Sequence, residues 1–295
     1  MQQAGNPSLR NRLVRIAREA AELPGLRLVA QPIYRKMFQR PIHTRNAYYG
    51  VYDTYENALA AVPPGLPSTY DSDAAGRMYR DRTQHLRSSE YPALYWLSRL
   101  IQEGARTLFD LGGHIGVSYY AMGRLIHYPP GLRWVVHDVP RVMAAGRIWA
   151  IDNDPAGKLD FANHPEASTG FDILFSNGAL QYLDYALSSL LQRIPEPPAH
   201  VLINMVPMHP ERSYFTIQNF GVVTSPYRIS STAQFVGAMQ ALGYEVVDRW
   251  ETFERHVRIP FRPDCDIDRY YGFYFRLRDP ATSARHNCQD EARQK

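Results

Sequence analysis

Between Glu90 and Trp250 the chain alternates short apolar runs of strand length with stretches whose apolar residues recur at helical spacing. Ala93, Leu94, Leu97 and Leu100 make one such helical face, and it leads straight into Leu108-Phe109. Further strands are expected at Trp134–Val136, Leu159–Phe161, Phe171–Asn177 and Val201–Val206. Helices are expected over Val117–Ile126, from Pro140 to about Ala150, over Leu180–Leu191, and over Thr232–Leu242, where Gly243 stops the last one. Tyr244–Trp250 and Tyr270–Arg276 then read as two strands with no helix between them, which suits an antiparallel pair at a sheet edge. The pattern predicts an α/β fold: a Rossmann-like, doubly wound, seven-stranded, mainly parallel sheet with an antiparallel last strand.

Ahead of this domain the chain reads as a helical and irregular N-terminal extension over residues 1–85, and behind it as a flexible tail over 281–295, leaving 86–280 for the sheet. From Ser8 to Leu23 an apolar stripe (Leu13, Ile16, Ala17, Ala20, Ala21) runs beside an arginine face. This basic N-terminal helix is either solvated and docked on the domain or a surface that leans on anionic lipid headgroups, a peripheral membrane contact. Residues 46–83 are tyrosine-rich. Thr54 caps a short helix to Ala61, and the aromatics either pack on the domain or form a lid.

Thr107–Tyr120 carries the chemistry. A strand ends at Asp110, and Gly112, Gly113 and Gly116 follow before the next helix begins. Glycines there let the chain turn sharply and let a ligand approach the backbone. The next strand ends at His137-Asp138, an acidic tip placed to accept hydrogen bonds from ribose hydroxyls. The pair points to a nucleoside cofactor. The glycine spacing is not the G-x-G-x-x-G of dinucleotide sites, and no G-x-x-x-x-G-K-[ST] phosphate loop exists in the chain.

Composition changes this picture little. The 295 residues are 45% hydrophobic and 21% charged, ordinary for a soluble globular protein. The net charge is only +4, yet residues 1–45 hold nine basic side chains against two acidic ones. No nucleic-acid motif accompanies that basic stretch, so nucleic acid is not expected as a partner. Cys265 and Cys288 offer neither metal spacing nor a disulfide framework, and no apolar run is long enough to span a membrane. A cytoplasmic protein without a bound metal is the expectation.

Asp110, Gly112 and Gly116 of DLGGHIG match the D-x-G-x-G-x-G cofactor loop of class I S-adenosylmethionine-dependent methyltransferases, with His114 in place of the middle glycine. More narrowly, EYPALYWL, TLFDLGGHIGVSYY, WVVHDVPRV, FDILFSNGALQYL, VLINMVP, FTIQNFG and LGYEVVDRW resemble a family of bacterial methyltransferases associated with surface-polysaccharide loci. The resemblance covers about Glu90 to Trp250. It implies S-adenosyl-L-methionine as cofactor, leaving as S-adenosyl-L-homocysteine. It implies cofactor-binding roles for Asp110, Gly112, Gly113, Gly116, Asp138, Asp160, Phe161 and Asn177. His114 either points to solvent or takes part in the site. Gln181, Gln218 and Tyr227 are implied to face the substrate, a small-molecule or saccharide acceptor. His209 is a candidate general base and Tyr182 a second catalytic candidate, each with an ordinary packed role as its alternative. No Asn-Pro-Pro-Tyr sequence follows the fourth strand, so O-methylation of a hydroxyl is expected over N-methylation. The other reading is a non-catalytic scaffold of the same fold in a surface-polymer assembly.

Overall fold

The computed structural model of the chain describes residues 23–40 and 46–278. They form two compact units, one comprising the chain up to Ser68 with Phe215–Tyr227 and Val257–Asp266, the other comprising Thr69–Tyr214, Arg228–His256 and the residues from Ile267. The helix expected over Ser8–Leu23 and the tail over 281–295 lie outside the described residues.

The first unit holds α1 (Pro24–Phe38), β1 (Ala47–Tyr52) and α2 (Tyr55–Ala60). Thr54 caps α2 as expected, its side chain accepting from the Asn57 backbone N–H at 3.1 Å. β1 pairs antiparallel with β7 (Tyr214–Asn219), with Tyr48 opposite Gln218 and Tyr49 opposite Ile217. That pairing is why residues 215–227 belong with the N-terminal part. The tyrosines of this stretch make its core: Tyr34 and Phe38 of α1 pack on Tyr49, and Phe261 meets Tyr34 edge-on. Asn219 seals it by donating to the carbonyls of Phe38 and Arg40.

The second unit is the α/β part. Its elements are α3 (Asp73–Arg77), α4 (Tyr91–Gln102), β2 (Thr107–Leu111), α5 (Val117–Gly123), β3 (Arg133–His137), α6 (Pro140–Asn153) and β4 (Leu159–Phe161). They continue through β5 (Ile173–Asn177), α7 (Leu187–Arg193) and β6 (His200–His209). The last part of β8 (Thr224–Ser231), then α8 (Thr232–Ala241), β9 (Tyr244–Thr252) and β10 (Tyr270–Leu277) complete it. β4, β3, β2, β5 and β6 lie side by side and parallel, and β10 then runs antiparallel to β6 with β9 antiparallel at its outer edge.

Both faces of these strands are apolar, as parallel strands covered by helices require. Successive residues feed opposite cores. Leu108, Trp134, Phe175 and Tyr274 join Leu97 of α4 on one face; Phe109, Val135, Leu174 and Phe273 join Leu190 of α7 and Met239 of α8 on the other. The mainly parallel sheet and the antiparallel last strand are as expected.

Two expectations are corrected. The sheet exceeds seven strands, because residues after His209 fold into β7 and β8 and β8 pairs with the end of β6 at Ser230 and Ser231. The helix expected over Leu180–Leu191 is a single tight turn, Leu180–Tyr182, followed by α7. The second unit begins at Thr69, where the segment carrying α3 packs on α6 through Ala75 and Val142.

The β9–β10 ribbon contains one close approach. Gly272 pairs directly with Trp250, and a Cβ there would lie 2.0 Å from the indole. The ring in turn donates to Asn204 Oδ1 at 2.8 Å. Gly272→Ala should therefore push Trp250 off Asn204, at a cost of about 1–3 kcal/mol and roughly 3–10 °C of melting temperature. An unchanged melting temperature and tryptophan emission spectrum would show that the ring has room to move.

Candidate functional site

The site is built at the carboxyl ends of β2, β3 and β5, where parallel sheets of this class present loops to a ligand. β2 ends at Leu111, and the Gly112 N–H donates at 2.7 Å to the carbonyl of His137 at the end of β3, fixing the turn to the neighbouring strand. The turn needs a left-handed backbone: φ is +77° at Gly112, +58° at His114 and +89° at Gly116. His114 thus takes at real strain the conformation a glycine would take freely. Added Cβ atoms at Gly112 and Gly113 would run into Ala179 and into the carboxylate of Asp110 respectively. These glycines are required by packing within the protein.

His114 does not face solvent. It is 9% exposed, and its Nε2 lies 2.8 Å from the Ala75 carbonyl. A carbonyl only accepts, so Nε2 carries the hydrogen, and Nδ1 is left buried with no hydrogen-bond partner. Tyr79 packs edge-on against the ring. Burial holds the His114 pKa below its ordinary value, despite the opposing pull of Asp138. Of the two alternatives for His114, the solvent-facing one is not found; the ring is buried against Ala75 and Tyr79.

Asp138, just past β3, accepts the His114 N–H at 2.9 Å and the Val139 N–H at 2.7 Å on different oxygens. A carboxylate has about four acceptor positions, so each oxygen retains one for a further donor. Asp110 sits beneath the turn, fully buried. One oxygen accepts from Trp134 Nε1 at 3.1 Å and the other has no partner among the described residues. Burial, far more than the neighbouring Asp138, pushes its pKa up to about 8.

Asn177 ends β5 inside a polar chain that the sequence pattern did not reveal. Its Nδ2 donates to Glu90 at 2.8 Å, and its Oδ1 accepts from Asn204 at 3.1 Å. Glu90 is buried and takes both oxygens to Arg82, at 2.9 and 2.8 Å. Asn204 also donates to the Ser89 carbonyl. Met205, next to it, has φ +58° in mid-strand, opposite a register shift in β10, a bulge that re-aims Asn204. Glu90 and Asn204 stood in the quoted motifs, yet nothing in one sequence couples residues this far apart.

Other expected site residues lie elsewhere. Asp160 is an exposed residue in the middle of β4, 4.0 Å from Arg133, and Phe161 is buried against Gly146 of α6. The tip of that strand is Ala162-Asn163, which the Arg147 side chain brackets by donating to the Phe161 carbonyl and Asn163 Oδ1. His209 Nδ1 accepts from the backbone N–H groups of Glu211 and Arg212. The lone pair a general base would use is thereby taken by two backbone donors. Gln218 and Tyr227 belong to the other unit and are buried there, Gln218 bonded to the Tyr48 hydroxyl and Tyr227 edge-on to the same ring. They are interior side chains. Tyr182 is half-buried, edge-on to Tyr70, and Gln181 turns away toward a cavity beside α7. Among the described residues no group of three His, Cys, Asp or Glu side chains could hold a metal ion.

No family model matches the chain, and no curated protein is significantly similar to it. Among solved structures it is similar to a 1,6-didemethyltoxoflavin N1-methyltransferase of Burkholderia thailandensis holding 1,6-didemethyltoxoflavin and S-adenosylhomocysteine. The identity is 17%, the TM-score 0.42, and the match covers 65% of this chain and 79% of that one. It is similar to an O-methyltransferase family protein of the same organism at 16% identity and a TM-score of 0.45, over 77% of this chain and 63% of that chain. A third is the magnesium protoporphyrin IX methyltransferase of Synechocystis PCC 6803 with bound SAM, at 13% identity and a TM-score of 0.44, over 70% and 91%. These likenesses are slight, and the functional reading rests on this chain's own residues.

Asp110 makes stability depend on pH in a definite direction. With its pKa about 8 folded and 3.8 unfolded, the folded state holds one more proton between those values, so stability falls as pH rises through that window. His114 acts in the opposite direction only below about pH 6.5, where the unfolded chain protonates it. Between pH 6.5 and 8 the melting temperature of the wild type should therefore fall, and Asp110→Asn should flatten the slope. An equal slope in both proteins would mean that Asp110 is ionised in the fold.

Proposed function

We propose that the α/β unit binds S-adenosyl-L-methionine and transfers its methyl group to a hydroxyl of a small-molecule or sugar acceptor. The observation that carries the reading is the joining of the glycine turn to the β3 tip, where the His114 N–H and the Val139 N–H hold Asp138 in place. A fixed, partly exposed carboxylate with an acceptor position left on each oxygen suits a pair of adjacent ribose hydroxyls. The unpartnered, proton-holding oxygen of Asp110 suits a cation beside the turn, such as the ammonium of the methionine part. The residues present fit the cofactor at both ends.

When bound, the cofactor supplies a sulfonium methyl that is already activated, so positioning carries most of the rate. With the cofactor bound, Asp138 would hold the ribose hydroxyls, and Asp110 would release its proton to solvent and balance the positive charge. Asn177, rigid within the Glu90–Asn204 chain, marks where donor and acceptor meet. With His209 occupied, Tyr182 is the side chain we assign to accept the hydrogen bond of the acceptor hydroxyl and aim its oxygen. The tip Ala162-Asn163 takes the adenine-facing place expected for Asp160 and Phe161.

One observation favours a second reading, a scaffold that keeps the fold without the reaction. The glycines are already required by contacts within the protein, Gly112 against Ala179 and Gly113 against the Asp110 carboxylate, and Ala75 is latched onto His114. In that reading the surface-polysaccharide setting and a membrane contact through the basic N-terminal segment would be the function. We favour the enzyme, acting in the cytoplasm, because Asp138 is fixed beside the turn with an acceptor position left on each oxygen.

Asp138→Ala should weaken S-adenosylhomocysteine binding at least tenfold, roughly 1.4 kcal/mol or more, measured by titration calorimetry. An unchanged affinity would remove the ribose assignment.

A further inference from the structure

Helix α1 docks on its unit by one edge. Tyr34 and Phe38 pack on Tyr49, the Tyr34 hydroxyl donates to the Tyr48 carbonyl at 3.1 Å, and Phe38 is 1% exposed. Beside that edge lie Leu26, Val29, Ile33 and Met37, which are 52, 62, 55 and 59% exposed. Their spacing of three, four and four residues keeps them within about 80° of arc, and they run about 16 Å along the helix axis. Single exposed apolar side chains are ordinary, but four in line on one helix face form a patch that calls for a cover. Leu28, 79% exposed, stands by itself on the far side of the helix.

Charge identifies the cover. No acidic residue occurs between Glu22 and Asp53, a stretch that carries Arg27, Arg35, Lys36, Arg40 and Arg45. At helical spacing Arg27 and Lys36 fall on either side of the apolar stripe, and Arg40 follows its C-terminal end. Long basic side chains in that position keep their charges at headgroup level while the stripe sits at the acyl boundary. A second copy of the chain fits less well. Four half-exposed side chains fall far short of the roughly 800 Å² that each partner buries in a stable interface, and two such faces would bring like charges together. We propose that α1 is a docking surface for an anionic lipid bilayer, with the stripe entering the interfacial layer and Arg27, Lys36 and Arg40 pairing with lipid phosphates. Among the described residues no helix is long and apolar enough to cross a membrane, so this contact lies in the membrane surface. It stands apart from either reading of the α/β unit and needs nothing from Ser8–Leu23.

The test is co-sedimentation of the full chain with vesicles of phosphatidylcholine alone and of phosphatidylcholine with about 30% phosphatidylglycerol. The wild type should bind the anionic vesicles about tenfold more tightly than the neutral ones, and added salt should weaken that binding. Val29→Ser/Ile33→Ser and Leu26→Ser/Met37→Ser should each lose about tenfold in affinity, while Leu28→Ser, the control, binds as the wild type does. All of these positions are more than half exposed, so the variants keep the fold, which an unchanged melting temperature verifies. No binding by the wild type would overturn the assignment. So would stripe variants that bind as tightly as Leu28→Ser, a result that leaves only the attraction of a basic segment for anionic lipid. Sedimentation velocity without lipid runs alongside. A dimer that the stripe variants disperse, with no vesicle binding, would make this face an interface between copies and overturn the lipid assignment equally.

Discussion

The carboxylate of Asp138 holds the backbone of His114, and the rest of the site depends on that hydrogen bond. A left-handed non-glycine residue is costly, and this one persists because its amide is fixed by Asp138 while its ring is fixed by Ala75. The same turn is tied to β3 a second time through Gly112 and the His137 carbonyl. Two hydrogen bonds therefore set the distance between the end of β2 and the end of β3. Whatever binds there meets a preformed receptor, with little ordering left to do on binding.

Around this turn the protein keeps polar groups in two different conditions. Arg82, Glu90, Asn177, Asn204 and Trp250 are matched donor to acceptor in a continuous chain, which rigidifies the β5 and β6 tips. Asp110, by contrast, is left one partner short, with its proton held by burial. A satisfied network stabilises a shape, and an unsatisfied buried group is an exception to the usual pairing of buried polar atoms.

Much of the fold was legible because it rests on local pattern. Apolar runs such as Val201–Val206, buried on both faces, read as parallel strands from composition alone, and Gly112, Gly116 and Asp138 sit where strand ends place them. What was missed depends on contacts remote in sequence. β7 and β8 are held by β1 and by the end of β6, and β1 lies far away in sequence. His209 has the side chain of a base, and only the backbone of Glu211 and Arg212 reveals that its lone pair is taken. The strand Leu159–Phe161 is found with the expected bounds, but its pleat turns Asp160 out beside Arg133 and Phe161 into the core. The burial of His114 was hidden for the same reason, since its cover, Ala75, lies in a segment that reads as loop.

The central claim is that Asp110 and the turn above it form the receptor for a cationic nucleoside. Calorimetric titration of S-adenosyl-L-methionine at pH 7, repeated in two buffers of different ionisation enthalpy, measures the protons exchanged on binding. The account predicts one site per chain and release approaching one proton, lost in Asp110→Asn. Binding without proton release, or no binding at all, would contradict it.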